Sequence, residues 1–287
     1  MSILAQTYQH PLDKKFLNQI QQIPGMDTVI REVSGLSNEI YSQIELMSES
    51  VLVTEKTFPT LNEAMPRICS MLGVEQPKLF INGSGLPNAY TAGIKKPVVV
   101  VTAGLLFRCD QKEIEGIIAH ECGHIACNHL LYHNVLTTIL SGIGMFSSVA
   151  RTALTLASPL LFKWYRASEY SADRAAAVAL GDPDAIQGGL YKLMTGSNAF
   201  QKKLDVQEIC RQADDLDGYM DESFWKKLVG ISLNTFRTHP WTIFRIRELH
   251  RWTTSGELKK VLTDDDGRLI TSENNGDVND TLKGLDM

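Results

Sequence analysis

His120-Glu121-Cys122-Gly123-His124 is the stretch on which the reading of this chain turns. It has the form H-E-x-x-H and lies within Gln111 to His133, where Ile114, Ile117, Ile118, Ile125, Leu130 and Leu131 recur at spacings near three and four with no proline between them. That spacing predicts a helix from Gln111 to about His133. Residues four apart share one face of a helix, so the imidazoles of His120 and His124 can grip a single metal ion. Glu121 follows the first histidine directly, which sets its carboxylate beside such an ion, where it can take a proton from water. Two imidazoles and a carboxylate suit zinc, with a fourth position left to a water whose pKa the ion lowers to about 7. A plainer reading of the same five residues is a helix with two surface histidines and an unrelated glutamate.

A third donor is expected downstream. Glu169-Tyr170-Ser171-Ala172-Asp173 sets two carboxylates four apart on one face of an alanine-rich helix running to Leu180. Glu169 can complete a His-His-Glu set, and Asp173, one turn on, can accept the free ring N–H of a ligand histidine. Read alone, the stretch favours an exposed helical face with its carboxylates paired to Arg166 or Arg174.

Together these residues resemble the gluzincin zinc metallopeptidases of the HtpX and CAAX-prenyl-protease (Ste24-like) type. Pro87-Asn88-Ala89-Tyr90-Thr91-Ala92-Gly93 is similar to that family's P-N-A-F-A-x-G segment, and Val99 to Leu106 to the strand and turn after it. Arg237-Thr238-His239-Pro240, with Arg245 beyond, is similar to its late H-P-x-x-x-x-R motif. The resemblance spans about Leu79 to Arg251 and keeps the family's order. It implies one zinc per chain held by His120, His124 and Glu169, with Glu121 as the catalytic base. It further implies His239 as a catalytic donor to the oxyanion, with Asp173 and Arg245 supporting the site. A small sheet over the active-site helix would take an extended peptide along its exposed edge, with Asn88 and Ala89 at the cleft rim. On its own, Asn88 reads equally as a turn former after Pro87. The implied activity is hydrolysis of peptide bonds in extended or unfolded polypeptide by a zinc metalloendopeptidase.

The bulk properties fit. The chain has 287 residues, room for one large domain or two small ones. Hydrophobic residues at 44% and charged residues at 21% are ordinary for a globular protein. A formal charge of −5 gives no reason to expect a nucleic-acid partner. From Thr263 onward seven acidic residues face two basic ones, so the acid sits in a tail. Five cysteines without a C-x-x-C, and Met1 to Phe16 without a signal-peptide pattern, point to reduced thiols in the cytoplasm. The expected organisation is a helical scaffold over 1–75, a catalytic core over 76–262 and an acidic, disordered tail over 263–287.

Helices are expected over Leu12–Ile23, Asp27–Val33, Ser37–Met47 and Thr60–Leu72, the last with a capping box from Thr60 and Glu63. Strands are expected at Val51–Val53, Lys78–Ile81 and Pro97–Thr102. Cys122 to Ala150 carries no Lys, Arg, Asp or Glu, and a second uncharged run covers Thr152 to Phe162. Both are short for membrane spans, so a helical hairpin beside the site is the better reading. Residues 135–166, with the edge Lys163-Trp164-Tyr165-Arg166, could also rest on a membrane surface. His129 is read as a buried neighbour of the cleft and His133 as the end of the helix, in preference to a second zinc pair. Further helices are expected at Phe200–Ala213 and Ser223–Leu233, separated by an acidic turn from Asp214 to Asp221. The fold class is α+β and mainly α. A membrane-embedded protease of the same family and a zinc-binding scaffold without hydrolysis are the other readings.

Overall fold

Val98-Val99-Val100-Val101-Thr102 is buried along its whole length and forms strand β4 (Val98–Thr102), an inner strand of a four-stranded sheet. The structure, a computed structural model, describes residues 2–36, 39–141, 146–196, 205–223, 241–264 and 267–271. Strands β1 (Ser50–Leu52), β2 (Lys78–Asn82) and β3 (Ala89–Ala92) complete the sheet in the order β1-β2-β4-β3. β2 and β4 are parallel and the two edge strands run antiparallel to their neighbours. Side chains alternate across a sheet. Leu79, Ile81, Ala89, Val99 and Val101 accordingly enter the main core, while Phe80, Val98 and Val100 face a small cluster with Leu46.

Helices surround this sheet, so the fold is mainly α within an α+β class. Helices α1 (Ala5–Tyr8), α2 (Pro11–Gln21), α3 (Met26–Leu36) and α4 (Glu39–Glu49) precede β1, and α5 (Pro59–Leu72) joins β1 to β2. After β4 come α6 (Ala103–Leu106), α7 (Gln111–Ala126), α8 (Leu130–Ser141), α9 (Ser148–Leu180) and α10 (Pro183–Thr195). Helices α11 (Val206–Asp221), α12 (Thr242–Thr254) and α13 (Glu257–Val261) follow.

The central packing is α7 on α9, and small residues set how close the two helices come. A Cβ on Gly123 would lie 2.6 Å from the Ala175 Cβ and 3.1 Å from the Ala172 Cα. Glycine on one helix against alanines on the other brings the backbones together and sets the H-E-x-x-H turn beside Glu169 and Asp173. At its N-terminus α7 carries a reciprocal capping box. Asp110 accepts from the Glu113 N–H, and the Glu113 carboxylate accepts from the Asp110 N–H.

Several expectations change. The helix expected to reach His133 stops at Ala126, because Asn128 takes a left-handed conformation with φ 57°. His133 therefore sits in the first turn of α8 rather than at a helix end. The second apolar run and the Glu169–Asp173 stretch are one 33-residue helix, α9, about 50 Å long. Helix α5 begins at Pro59 with no side-chain cap, so Thr60 and Glu63 form no capping box; proline at the first position serves instead. The expected acidic turn is the second half of α11. Asp214 accepts from Arg247 at 2.7 Å and Arg251 at 2.8 Å, and Asp217 pairs with Arg247 at 2.7 Å, so the basic face of α12 neutralises it. Ser223 is described, but the rest of the helix expected to Leu233, and most of the tail, lie outside the described residues.

Trp164 is fully buried, whereas Val149 and Leu156 are exposed on α9. Among the described residues no helix is long and apolar enough to cross a membrane. All five cysteines are free thiols.

Candidate active site and metal centre

Helix α7 presents His120 and His124 on one face, and α9 brings Glu169 up to them. The two Nε2 atoms are 3.2 Å apart, and each lies 3.5 Å from an oxygen of Glu169. All three side chains are buried, and their donor atoms lie within 4.8 Å of one another. Three metal-binding groups from two helices thus converge on one small volume.

The surrounding groups fix how these donors point. Asp173, one turn beyond Glu169, meets the Nδ1 of His120 at 2.9 Å through Oδ1. Asp173 is itself gripped by Arg245 from α12, whose Nε donates to Oδ2 at 2.8 Å and whose Nη2 donates to Oδ1 at 2.6 Å. Arg245 Nη1 also pairs with Glu169 Oε2 at 2.8 Å. With Asp173 ionised, the neutral ring of His120 carries its proton on Nδ1 and its lone pair on Nε2, facing His124 and Glu169.

The electrostatics follow from burial. Burial and the Arg245 charge press His120 toward its neutral form, but hydrogen bonds to Asp173 and Glu169 outweigh them and raise its pKa to about 9. Burial drives the His124 pKa down, helped by the neighbouring His120. Burial opposes ionisation of Asp173, yet the charge and hydrogen bonds of Arg245 hold its carboxyl below the usual range. Tyr165 sits close enough that, beyond burial, the Glu169 and Glu121 carboxylates push its phenol well up.

Glu121 is buried and is tied to the sheet. The Thr91 hydroxyl of β3 lies 2.7 Å from Glu121 Oε2 and 3.2 Å from the Glu121 main-chain oxygen. Because β3 is the terminal strand beside α7, an extended chain added to that strand would run past Glu121. Asn88 is exposed at the start of β3, and its main chain exchanges hydrogen bonds with Thr102. Ala89 turns its methyl into the core and pairs with Val101 of β4. His239 lies outside the described residues.

Behind the donor set runs a second line of histidines. His124 Nδ1 is 2.9 Å from His129 Nδ1, and His129 Nε2 is 2.9 Å from Asp13 Oδ2. His133 turns instead to Ser168, with Nε2 at 3.1 Å from its hydroxyl. His124, His129 and His133 are close enough to form a second metal-binding group. Both ring nitrogens of His129 already have partners, however, so these contacts read as a hydrogen-bond chain. A cavity of about 1090 Å³ adjoins this region, lined by Ile125, Asn128 and Ile94 but not by His120, Glu121 or Glu169. The cavity is therefore a neighbouring space, separate from the buried donors.

Sequence reading had placed His120, Glu121, His124, Glu169, Asp173 and Arg245, and the fold brings these six together. It missed Thr91 and Asp13. Thr91 lies inside the quoted P-N-A-Y-T-A-G stretch, where a hydroxyl on an edge strand was the available signal. Asp13 gives no local signal, since an acidic residue in the first turn of a helix is ordinary.

The family model for peptidase family M48 matches residues 55–253. The plastoglobule-localized metallopeptidase 48 of Arabidopsis thaliana chloroplasts is 30% identical over 263 residues, covering 90% of this chain and 75% of its own. A protease HtpX homolog from Campylobacter concisus is 27% identical over 230 residues, 70% of this chain and 77% of its own. The crystal structure of S. mikatae Ste24p is similar with a TM-score of 0.44 and 17% identity, over 83% of this chain and 61% of that one. The buried His-Glu donor set and the family match lead to one conclusion: this chain belongs to peptidase family M48 and is a metallopeptidase that acts on polypeptide, similar to the HtpX proteases.

Proposed function

We propose that the protein is a zinc-dependent endopeptidase that cleaves extended or unfolded polypeptide, with zinc held by His120, His124 and Glu169. The observation that carries this is the spacing of the three donors. Bonds of about 2.0–2.2 Å to a tetrahedral ion imply donor separations of about 3.3–3.6 Å. The separations here are 3.2, 3.5 and 3.5 Å. Two imidazoles and a carboxylate, with no thiolate among them, are also a set that catalytic zinc favours.

When bound, the ion supplies Lewis-acid chemistry, polarising a carbonyl and acidifying water in the site. The chain's own residues do the rest. Glu121 takes the proton from the attacking water and returns it to the leaving amine nitrogen. Thr91 holds the Glu121 carboxylate at 2.7 Å and so limits its rotation. Asp173 keeps the proton of His120 on Nδ1, and Arg245 locks Asp173 and Glu169 in one fork. The β3 edge, with Asn88 and Ala89 at its start, binds the substrate main chain, and His239 donates to the developing oxyanion. A scaffold that only bound metal would have no use for a buried Glu121 oriented by Thr91.

The test is zinc content together with casein cleavage for wild type and Glu121→Gln. The expected result is about one zinc per chain in both proteins, with cleavage lost in the variant. Cleavage at the wild-type rate by Glu121→Gln would remove Glu121 as the base. Absence of zinc from both proteins would remove the zinc reading.

A further inference from the structure

A histidine that binds metal through Nε2 carries its proton on Nδ1 and needs an acceptor there. His120 has Asp173. His124 meets the Nδ1 of His129 at 2.9 Å. That nitrogen accepts only if His129 carries its own proton on Nε2, and this requires an acceptor on the far side of the ring. Asp13 Oδ2 stands there at 2.9 Å.

We infer that Asp13 and His129 are positioning residues for His124: helix α2 supplies, through His129, the carboxylate that fixes which nitrogen of His124 faces the metal. The inference rests on the zinc reading above, because it assigns a role in holding that ion.

Three observations support a built relay rather than a chance contact. Asp13 and His129 are both fully buried. The Asp13 carboxylate accepts from four donors, with Trp164 Nε1 at 2.8 Å on Oδ1 and His129, Ser171 Oγ at 2.6 Å and Gln9 Nε2 at 2.9 Å on Oδ2. Such a shell suits an anion and leaves little room for a protonated acid. Finally, the two ligand histidines become equivalent: each has a carboxylate behind it, direct for His120 and one imidazole removed for His124. The stretch Glu169-Tyr170-Ser171-Ala172-Asp173 serves both arms, since Ser171 holds Asp13 while Asp173 holds His120. Asp13 lies outside residues 55–253, so the family match does not cover it.

The experiment compares wild type with His129→Leu, His129→Asn and Asp13→Asn. Zinc dissociation constants are measured by competition with a chelator, and unfolding midpoints are measured on the metal-free proteins. Histidine ring ¹⁵N spectra of the metal-free wild type report the tautomer of His129. His129→Leu removes the acceptor and Asp13→Asn weakens the anchor, so both are expected to bind zinc about 10–100-fold more weakly. His129→Asn keeps an oxygen near the Nδ1 position and should recover part of the loss. The spectra should show His129 protonated on Nε2. Zinc binding by His129→Leu at wild-type strength would overturn the inference. So would losses of affinity that track the unfolding midpoints across the three variants, or a proton on Nδ1 of His129. If His129→Leu does not fold, the other two variants and the ring spectra still decide. A wild type that binds no zinc would refute the zinc reading, while the tautomer would still report on the hydrogen-bond chain.

Discussion

Gly123→Ala tests whether helix proximity makes this site. In a helix interior, replacing glycine by alanine ordinarily stabilises by about 1 kcal/mol. Here the new methyl would stand 2.6 Å from the Ala175 Cβ and 3.1 Å from the Ala172 Cα. Carbon atoms pack at about 3.5–4.0 Å, so α7 and α9 must part by about 1 Å. Overpacking of this kind costs about 1–3 kcal/mol, which outweighs the gain in propensity. The same movement draws His120 and His124 away from Glu169, now 3.5 Å from each. A misplacement of about 1 Å can reduce turnover about 100-fold. Gly218→Ala is the internal control: it lies in α11 with nothing within 4 Å of the added Cβ, and it should stabilise. Urea unfolding of the metal-free proteins and kcat/KM on an unfolded peptide substrate measure both effects. If Gly123→Ala is stabilised like Gly218→Ala and keeps its kcat/KM, close packing of α7 on α9 does not set the site.

Three further outcomes are expected. Thr91→Val removes the hydrogen bond to Glu121 Oε2 and should lower kcat about 10-fold with zinc content unchanged; an unchanged kcat would mean Glu121 needs no such support. Arg245→Lys loses the fork on Asp173 and the contact to Glu169, so a destabilisation of about 3 kcal/mol or more is expected in urea unfolding; a shift below about 1 kcal/mol would show that the ion cluster is not a cooperative unit. Asp13 ionises at about 2 in the folded protein against 3.8 ordinarily, because hydrogen bonds and charge from His129, with Ser171 and Gln9, overcome its burial. A lowered folded-state pKa stabilises above pH 3.8 and loses that contribution as pH falls toward 2, so the stability gap between wild type and Asp13→Asn should narrow by about 2 kcal/mol over that window in urea titrations. A gap constant with pH would show that Asp13 is not held as an anion.

What sequence could supply here was whatever one helix or one strand encodes by itself. His120, Glu121 and His124 were legible because their relation is four residues of one helix, and Glu169 with Asp173 for the same reason. Val98–Thr102 was legible because a β-branched run can satisfy itself only within a sheet. The failures are also local in origin. Asn128 ends α7 by a single left-handed residue, which helical periodicity cannot report. Asp214 to Asp221 looks like a loop until Arg247 and Arg251 are placed across from it.

The remaining parts of the site depend on partners far apart in the chain. Thr91 reaches Glu121 across 30 positions, Arg245 reaches Asp173 across 72, and Asp13 reaches His129 across 116. None of these pairs has a spacing rule, because none shares an element. Asp13 and Arg245 are brought in by α9, which holds the one through Ser171 and the other through Asp173 while it packs on α7 near Ala172–Ala175. Thr91 arrives separately, on the strand β3 that packs against α7. The alanines of α9, read from sequence as helix formers, therefore have a second role that only the packed structure reveals. They allow α7 to approach so closely that the carboxylates of one helix orient the imidazoles of the other. Changing their size should move His120 and His124 relative to Glu169 even where all three residues are retained.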